Sequence, residues 1–208
     1  MQRQIPLIPN EPDDLHCLQA SYMMIAKYYD PDFAIPMNEW SELTGFEKGK
    51  GSWASAGLLW FANHGYEVHH ISLFDWGAFL KEEGNYLIRT SDKEAGEWQI
   101  RHTNMAAELK RAQELLAKGD IVEFREPTEA DIKNYLDQGF LLRIHLNYRK
   151  LVGRPGYVGH AVLVFDYDSD GVYMHDPGSP PIEGLHVAWK LLEAAMADPT
   201  IDNKDGCD

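Results

Sequence analysis

Apolar residues crowd the first part of the chain at helical spacing and gather into short strand-like runs toward its end. From Leu15 to Tyr29, the residues Leu18, Tyr22, Met23, Met24, Ile25, Ala26 and Tyr29 leave few polar positions. The spacing predicts a helix that is apolar on most sides and therefore central and buried. Asp13 or Asp14 stands where its cap belongs, and Pro31 follows its end. A glycine-rich entry, Lys48-Gly49-Lys50-Gly51-Ser52, leads to a second helix over Trp53 to Asn63 that stops near Gly65. Tyr66 to Leu73 reads as a strand, and Asp75 opens a short helix that ends near Gly84. Asn104 caps a helix over Met105 to Lys118, with Gly119 as its stop. Thr128-Glu129-Ala130-Asp131 begins another helix with the acids that the helix dipole favours, and Gly139 ends it.

The later part of the chain turns to strands. Ile121 to Phe124, Phe140 to Leu146 and Ala161 to Phe165 are apolar runs of strand length. Val172 to His175 follows the turn residues Asp166-Tyr167-Asp168-Ser169-Asp170-Gly171. Helices first and a hairpin-rich sheet afterwards predict an α+β fold, N-terminal helices on a C-terminal, mostly antiparallel sheet. With no internal repeat and no low-complexity linker, the expectation is one domain over residues 1–200 and a polar tail over 201–208.

Composition narrows the partners. The 208 residues carry 19 Lys and Arg against 33 Asp and Glu, a net charge of −14. Such an acid excess argues against nucleic acid or an anionic bilayer as the main partner. Two cysteines, Cys17 and Cys207, make neither a disulfide framework nor a zinc site. The first residues lack the apolar core of a secretory signal, and no apolar run reaches eighteen residues. The expectation is a reduced, cytoplasmic protein with no membrane partner.

Candidate chemistry begins at Cys17, in the first turn of the buried helix. Helix N-terminal amides favour the thiolate, the nucleophilic form, although a free cysteine is more often an inert core residue. His160 opens an apolar strand in Gly159-His160-Ala161-Val162-Leu163. There it is either a satisfied core residue or a general base at a cleft mouth. Asp176 closes Val172-Tyr173-Met174-His175-Asp176 ahead of Pro177-Gly178. An Asp-Pro at a strand end is ordinarily turn punctuation. A hairpin centred on Asp168, however, would set His160 and Asp176 directly opposite each other on one face, about 5 Å apart at Cβ. A slip of one residue would turn them to opposite faces. A thiol on an early helix with an imidazole and a carboxylate on late strands has the logic of a Cys-His-Asp triad.

These segments resemble the bacteriocin-processing cysteine peptidases of the double-glycine-leader type, a branch of the papain-like fold. The resemblance rests on Asp14-Leu15-His16-Cys17-Leu18-Gln19-Ala20-Ser21 with Tyr28-Tyr29, on Gly159-His160-Ala161-Val162-Leu163-Val164, and on Gly171 to Pro177. It implies a cysteine peptidase with catalytic Cys17, His160 and Asp176, an acyl-enzyme intermediate, no cofactor, and a peptide or small amide as substrate. Family members carry a Gln several residues ahead of the cysteine, an amide of the oxyanion hole. This chain has Ile8-Pro9-Asn10-Glu11-Pro12 there, which leaves Asn10 as the amide. Leu18 also stands where the family often has Gly. Two alternatives stay open: an acyltransferase with the same triad, and a pseudoenzyme or peptide-binding module without turnover.

Other constellations are weaker. Asp166 to Gly171 starts like a calcium loop, but Pro177 occupies the place of the bidentate Glu, so a tight acidic hairpin explains it better. His64, His69 and His70 match no metal spacing, and no metal is expected. Trp53, behind the glycine-rich loop, and His16, beside Cys17, are candidate cleft residues; for His16 a solvent-facing position is the alternative.

Overall fold

A computed structural model describes residues 3–197. These residues fall into two compact units. The chain's two ends, up to Met37 and from Thr128 on, build one, and Asn38–Pro127 builds the other. Neither boundary carries a Gly- or Ser-rich linker, so composition gives no sign of the division where the sequence predicts one domain. The polar tail, including Cys207, lies outside the described residues.

In chain order the elements begin with α1 (Cys17–Tyr29), α2 (Met37–Leu43), α3 (Ser55–Asn63), β1 (His70–Ser72), α4 (Trp76–Glu82), α5 (Gly84–Thr90), α6 (Lys93–Arg101), α7 (Met105–Ala117) and β2 (Val122–Phe124). They continue with α8 (Glu129–Asp137), β3 (Leu142–Asn147), α9 (Tyr148–Leu151), β4 (Gly159–Tyr167), β5 (Gly171–Asp176), β6 (Ile182–Ala188) and α10 (Trp189–Met196). The class is α+β: an antiparallel four-stranded sheet in the order β3-β4-β5-β6, and a small parallel pair, β1-β2.

The sequence signals act locally as expected in several places. Asp75 and Asn104 accept N–H bonds from Ala78 and Ala107 and cap α4 and α7. Thr128 and Asp131 close a reciprocal capping box at α8. The start of α1 differs. Its cap is His16, and Asp13 is spent on the loop before it, accepting from Leu15 N–H at 3.2 Å. Cys17 is consequently the first residue with helical geometry.

The four-stranded sheet has a core on each face. Ile144, Leu146, Val162, Val164, Val172 and Met174 meet Ile132 and Leu136 of α8 and Leu192 and Ala195 of α10. On the other face Leu163 and Phe165 meet Ile5 and Met24 of α1. Strands buried on both sides read as continuous apolar runs, as β4 does. The 38–127 unit has its own core around Leu58, Trp76, Phe79, Tyr86, Leu87 and Leu115. Inside it, buried Glu108 is held by the Ser55 hydroxyl and the Arg111 guanidinium.

Candidate active site

Cys17, His160 and Asp176 converge. The His160 ring donates from Nε2 to Asp176 Oδ1 at 2.6 Å, with both residues buried. The Cys17 side chain lies near enough to the same ring to raise its pKa. With Nε2 committed to Asp176, Nδ1 is the nitrogen left for the thiol. Cys17 itself is half-buried.

The register that brings the histidine and the aspartate together differs from the predicted direct opposition. At the hairpin tip Tyr167 faces Val172 and Asp166 faces Tyr173, a pairing that would put His160 and Asp176 on opposite faces. A bulge follows, with Phe165 as the extra residue, so that Val164 faces Met174 and Leu163 faces His175. That one-residue correction returns the pair to one face, now diagonal across the ladder and within side-chain reach. Continued to the rim of the sheet, the register sets Gly178 across from His160. A Cβ on Gly178 would lie 3.0 Å from Asp176 Oδ1 and 3.5 Å from the His160 ring. A side chain there would press the Asp176 carboxylate aside by a few tenths of an ångström, and the Gly178 N–H donates to Asp176 Oδ1 at 2.8 Å.

Three further contacts place the groups. Ser21, fully buried one turn along α1 from Cys17, donates its hydroxyl to the Cys17 carbonyl at 2.9 Å, with the Ala161 carbonyl at 3.3 Å. It thereby seats the start of α1 against the residue after His160. Tyr148 sets its ring edge-on to His160 with centroids 5.4 Å apart. His175 serves the opposite side of β5: its Nε2–H donates to the Ile5 carbonyl, and its Nδ1 accepts the Gly184 N–H. Ser21, Tyr148 and Gly178 lie in segments the sequence marks only as helix, loop and turn.

The electrostatics follow from this geometry. Burial alone would push the imidazole pKa down; the bonds to Asp176 and to Cys17, and their charges, outweigh it and raise His160 to about 10. Burial pushes the Asp176 carboxyl up, but its bond to His160, the imidazolium charge and the Gly178 amide bring it below the ordinary aspartate value. Both groups are thus held in their charged forms at neutral pH.

The remaining candidates are placed as follows. Asn10, expected to lend its amide to an oxyanion, donates that amide to Asp14 Oδ1 at 2.9 Å. His16 is buried, with Nδ1 at 3.0 Å from Asp13 Oδ1, rather than solvent-facing. Trp53, read as a cleft residue, packs in the aromatic core of the 38–127 unit. There it stacks on Phe79 and donates to the Thr103 hydroxyl. Asp168 is consumed by its own hairpin, accepting from Tyr173, Asp170, Gly171 and His186. Those bonds, the Tyr173 hydroxyl foremost, hold its carboxyl well below the usual range. His64 bonds the Trp60 carbonyl and His69 bonds Glu67. Among the described residues no three His, Cys, Asp or Glu side chains gather as a metal site would require. No helix among them is long and apolar enough to cross a membrane.

No protein-family model matches the chain, and no curated protein or solved structure matches it.

Proposed function

We propose that this protein is a cysteine-nucleophile hydrolase of peptide or amide bonds, built on a papain-like arrangement and working through an acyl-enzyme. One observation carries the reading: the buried Asp176 carboxylate hydrogen-bonds to the His160 imidazole, and the half-buried Cys17 thiol acts on the same ring. Three chemically complementary groups from distant parts of the chain meet there in the order nucleophile, base, orienter.

In this mechanism Cys17 Sγ, as thiolate beside the imidazolium, attacks the substrate carbonyl carbon. An S–C bond forms, and the carbonyl oxygen takes the negative charge. The backbone N–H groups of Cys17 and Leu18 belong to the first turn of α1, where no helical carbonyl lies behind them to accept. They supply donors and the positive end of the helix dipole to that oxyanion. His160 passes its proton to the leaving amine as the C–N bond breaks. A water then gives its proton back to His160 and attacks the thioester, releasing the acid and the thiolate. Asp176 keeps the ring in one tautomer and steadies its charge throughout. The implied partner is a peptide or small amide.

The test is alkylation of Cys17 across pH, in a Cys207→Ser background so that one thiol reacts. Fast reaction at pH 6 that His160→Ala abolishes supports the enzyme. A thiol that reacts at pH 6 no faster than free cysteine, or only after denaturation, overturns the reading and leaves a peptide-binding module.

A further inference from the structure

The stretch from Asn10 to His16 has no regular secondary structure, yet its polar groups tie two distant parts of the chain together. Asn10 donates its backbone N–H to the Pro177 carbonyl at 2.7 Å, one residue beyond Asp176. Its carboxamide oxygen accepts the His16 N–H at 2.6 Å, one residue before Cys17, and the Glu11 N–H at 3.0 Å. The amide end of the same side chain donates to Asp14 Oδ1, and that oxygen also accepts the Ser179 hydroxyl at 3.2 Å. Asp14 holds φ at 60°, in the left-handed region that aspartate enters more readily than most non-glycine residues.

We propose that Asn10 and Asp14 are positioning residues: together they clamp the start of α1 to the segment after β5 and so set the place of Cys17 relative to the His160–Asp176 couple. The proposal rests on the thiol-enzyme reading above and adds to it a role for the loop. The reacting groups themselves contribute no covalent or ladder connection between residue 17 and residue 176. The clamp does, through the path His16–Asn10–Pro177 and, in parallel, Asn10–Asp14–Ser179. The Asn10 carboxamide is oriented by three partners inside this loop, which suits a strut. Positioning of this kind matters because a displacement of about 1 Å at a reacting group costs on the order of 10²-fold in rate.

The experiment uses the full chain with Cys207→Ser and compares iodoacetamide alkylation of Cys17 at pH 6 and pH 10. Alongside it, amide hydrogen exchange is followed over residues 15–19 and 174–179. Asn10→Ala is expected to lower the pH 6 rate by about tenfold or more. The pH 10 rate, where any thiol is ionised, stays within about twofold. Both segments exchange faster together. The double variant Asn10→Asp/Asp14→Asn reverses the bond between the two side chains, with position 14 now donating to position 10 and the Ser179 hydroxyl turning to accept, and restores the pH 6 rate. Were Asn10→Ala not to fold, Ser179→Ala removes only the second strap and is expected to move the same ratio by about threefold, at the lower end of such effects. A folded Asn10→Ala with an unchanged ratio and unchanged exchange in both segments overturns the clamp. If the parent protein shows no enhanced reactivity at pH 6, the thiol-enzyme reading fails on its own. Exchange then decides the clamp: joint loosening of the two segments sustains it, and loosening of one or neither overturns it.

Discussion

In the proposed mechanism the chemistry turns on which nitrogen of His160 each partner takes. Because Asp176 accepts from Nε2, removing its charge while keeping its shape disturbs the tautomer more than the position of the ring. Asp176→Asn is therefore expected to slow hydrolysis by about 10²–10⁴-fold with residual turnover. Cys17→Ala, which removes the proposed nucleophile, is expected to abolish it. Steady-state kinetics on the two variants check the order, and full activity in Cys17→Ala would falsify the nucleophile. Gly178 is the residue whose importance is least visible in the chain. Its Cβ position lies against both members of the couple. On the proposed reading, Gly178→Ala is expected to shift the carboxylate and to lower kcat. An unchanged kcat would show that the contact relaxes at no cost.

At the scale of elements, the site depends on a bulge and on a helix end. Phe165 restores a parity that the hairpin tip alone would have lost, so the turn did not set the face; the bulge did. The start of α1 is likewise not set by an acidic cap but by contacts to other parts of its own unit, with Ser21 on the β4 side. Capping works conventionally farther along. Thr128→Ala breaks the reciprocal box at α8 and is expected to cost about 1 kcal/mol, read as a lower urea midpoint with an unchanged m-value. The box touches none of Cys17, His160 and Asp176, so Cys17 reactivity in the folded protein is expected to stay as it was.

For the molecule as a whole, the charged couple ties stability to pH. His160 is raised in the folded state to about 10 from an ordinary 6.5. Its contribution is complete below pH 6.5 and disappears as pH rises toward 10. Asp176 is lowered from 3.8, so its contribution is complete above that value and disappears as pH falls through the lowered folded pKa. Both are present together between about pH 4 and pH 6.5. Urea unfolding at pH 5.5 and pH 9.5 is expected to show a loss in the parent that His160→Gln largely removes; equal losses in both would refute the linkage. Phe79→Ala, in the 38–127 core, is expected to cost about 3–5 kcal/mol, read by denaturation.

The amino-acid order by itself determined what depends on near neighbours. The buried character of α1 and the caps of α4, α7 and α8 follow from residues a few positions apart, the α+β class follows from the order of such elements, and Cys17, His160 and Asp176 stand out as candidates through the family resemblance of their segments. Tertiary structure decided whatever depends on distance and parity. It moved the α1 cap to His16, gave the Asn10 amide to Asp14, set Trp53 in an aromatic core and divided the chain into two units. It also chose the diagonal pairing of His160 with Asp176. The reason is that side-chain period along a strand is two: one extra residue reverses every face, and no local signal in Val164-Phe165-Asp166 announces that it is there.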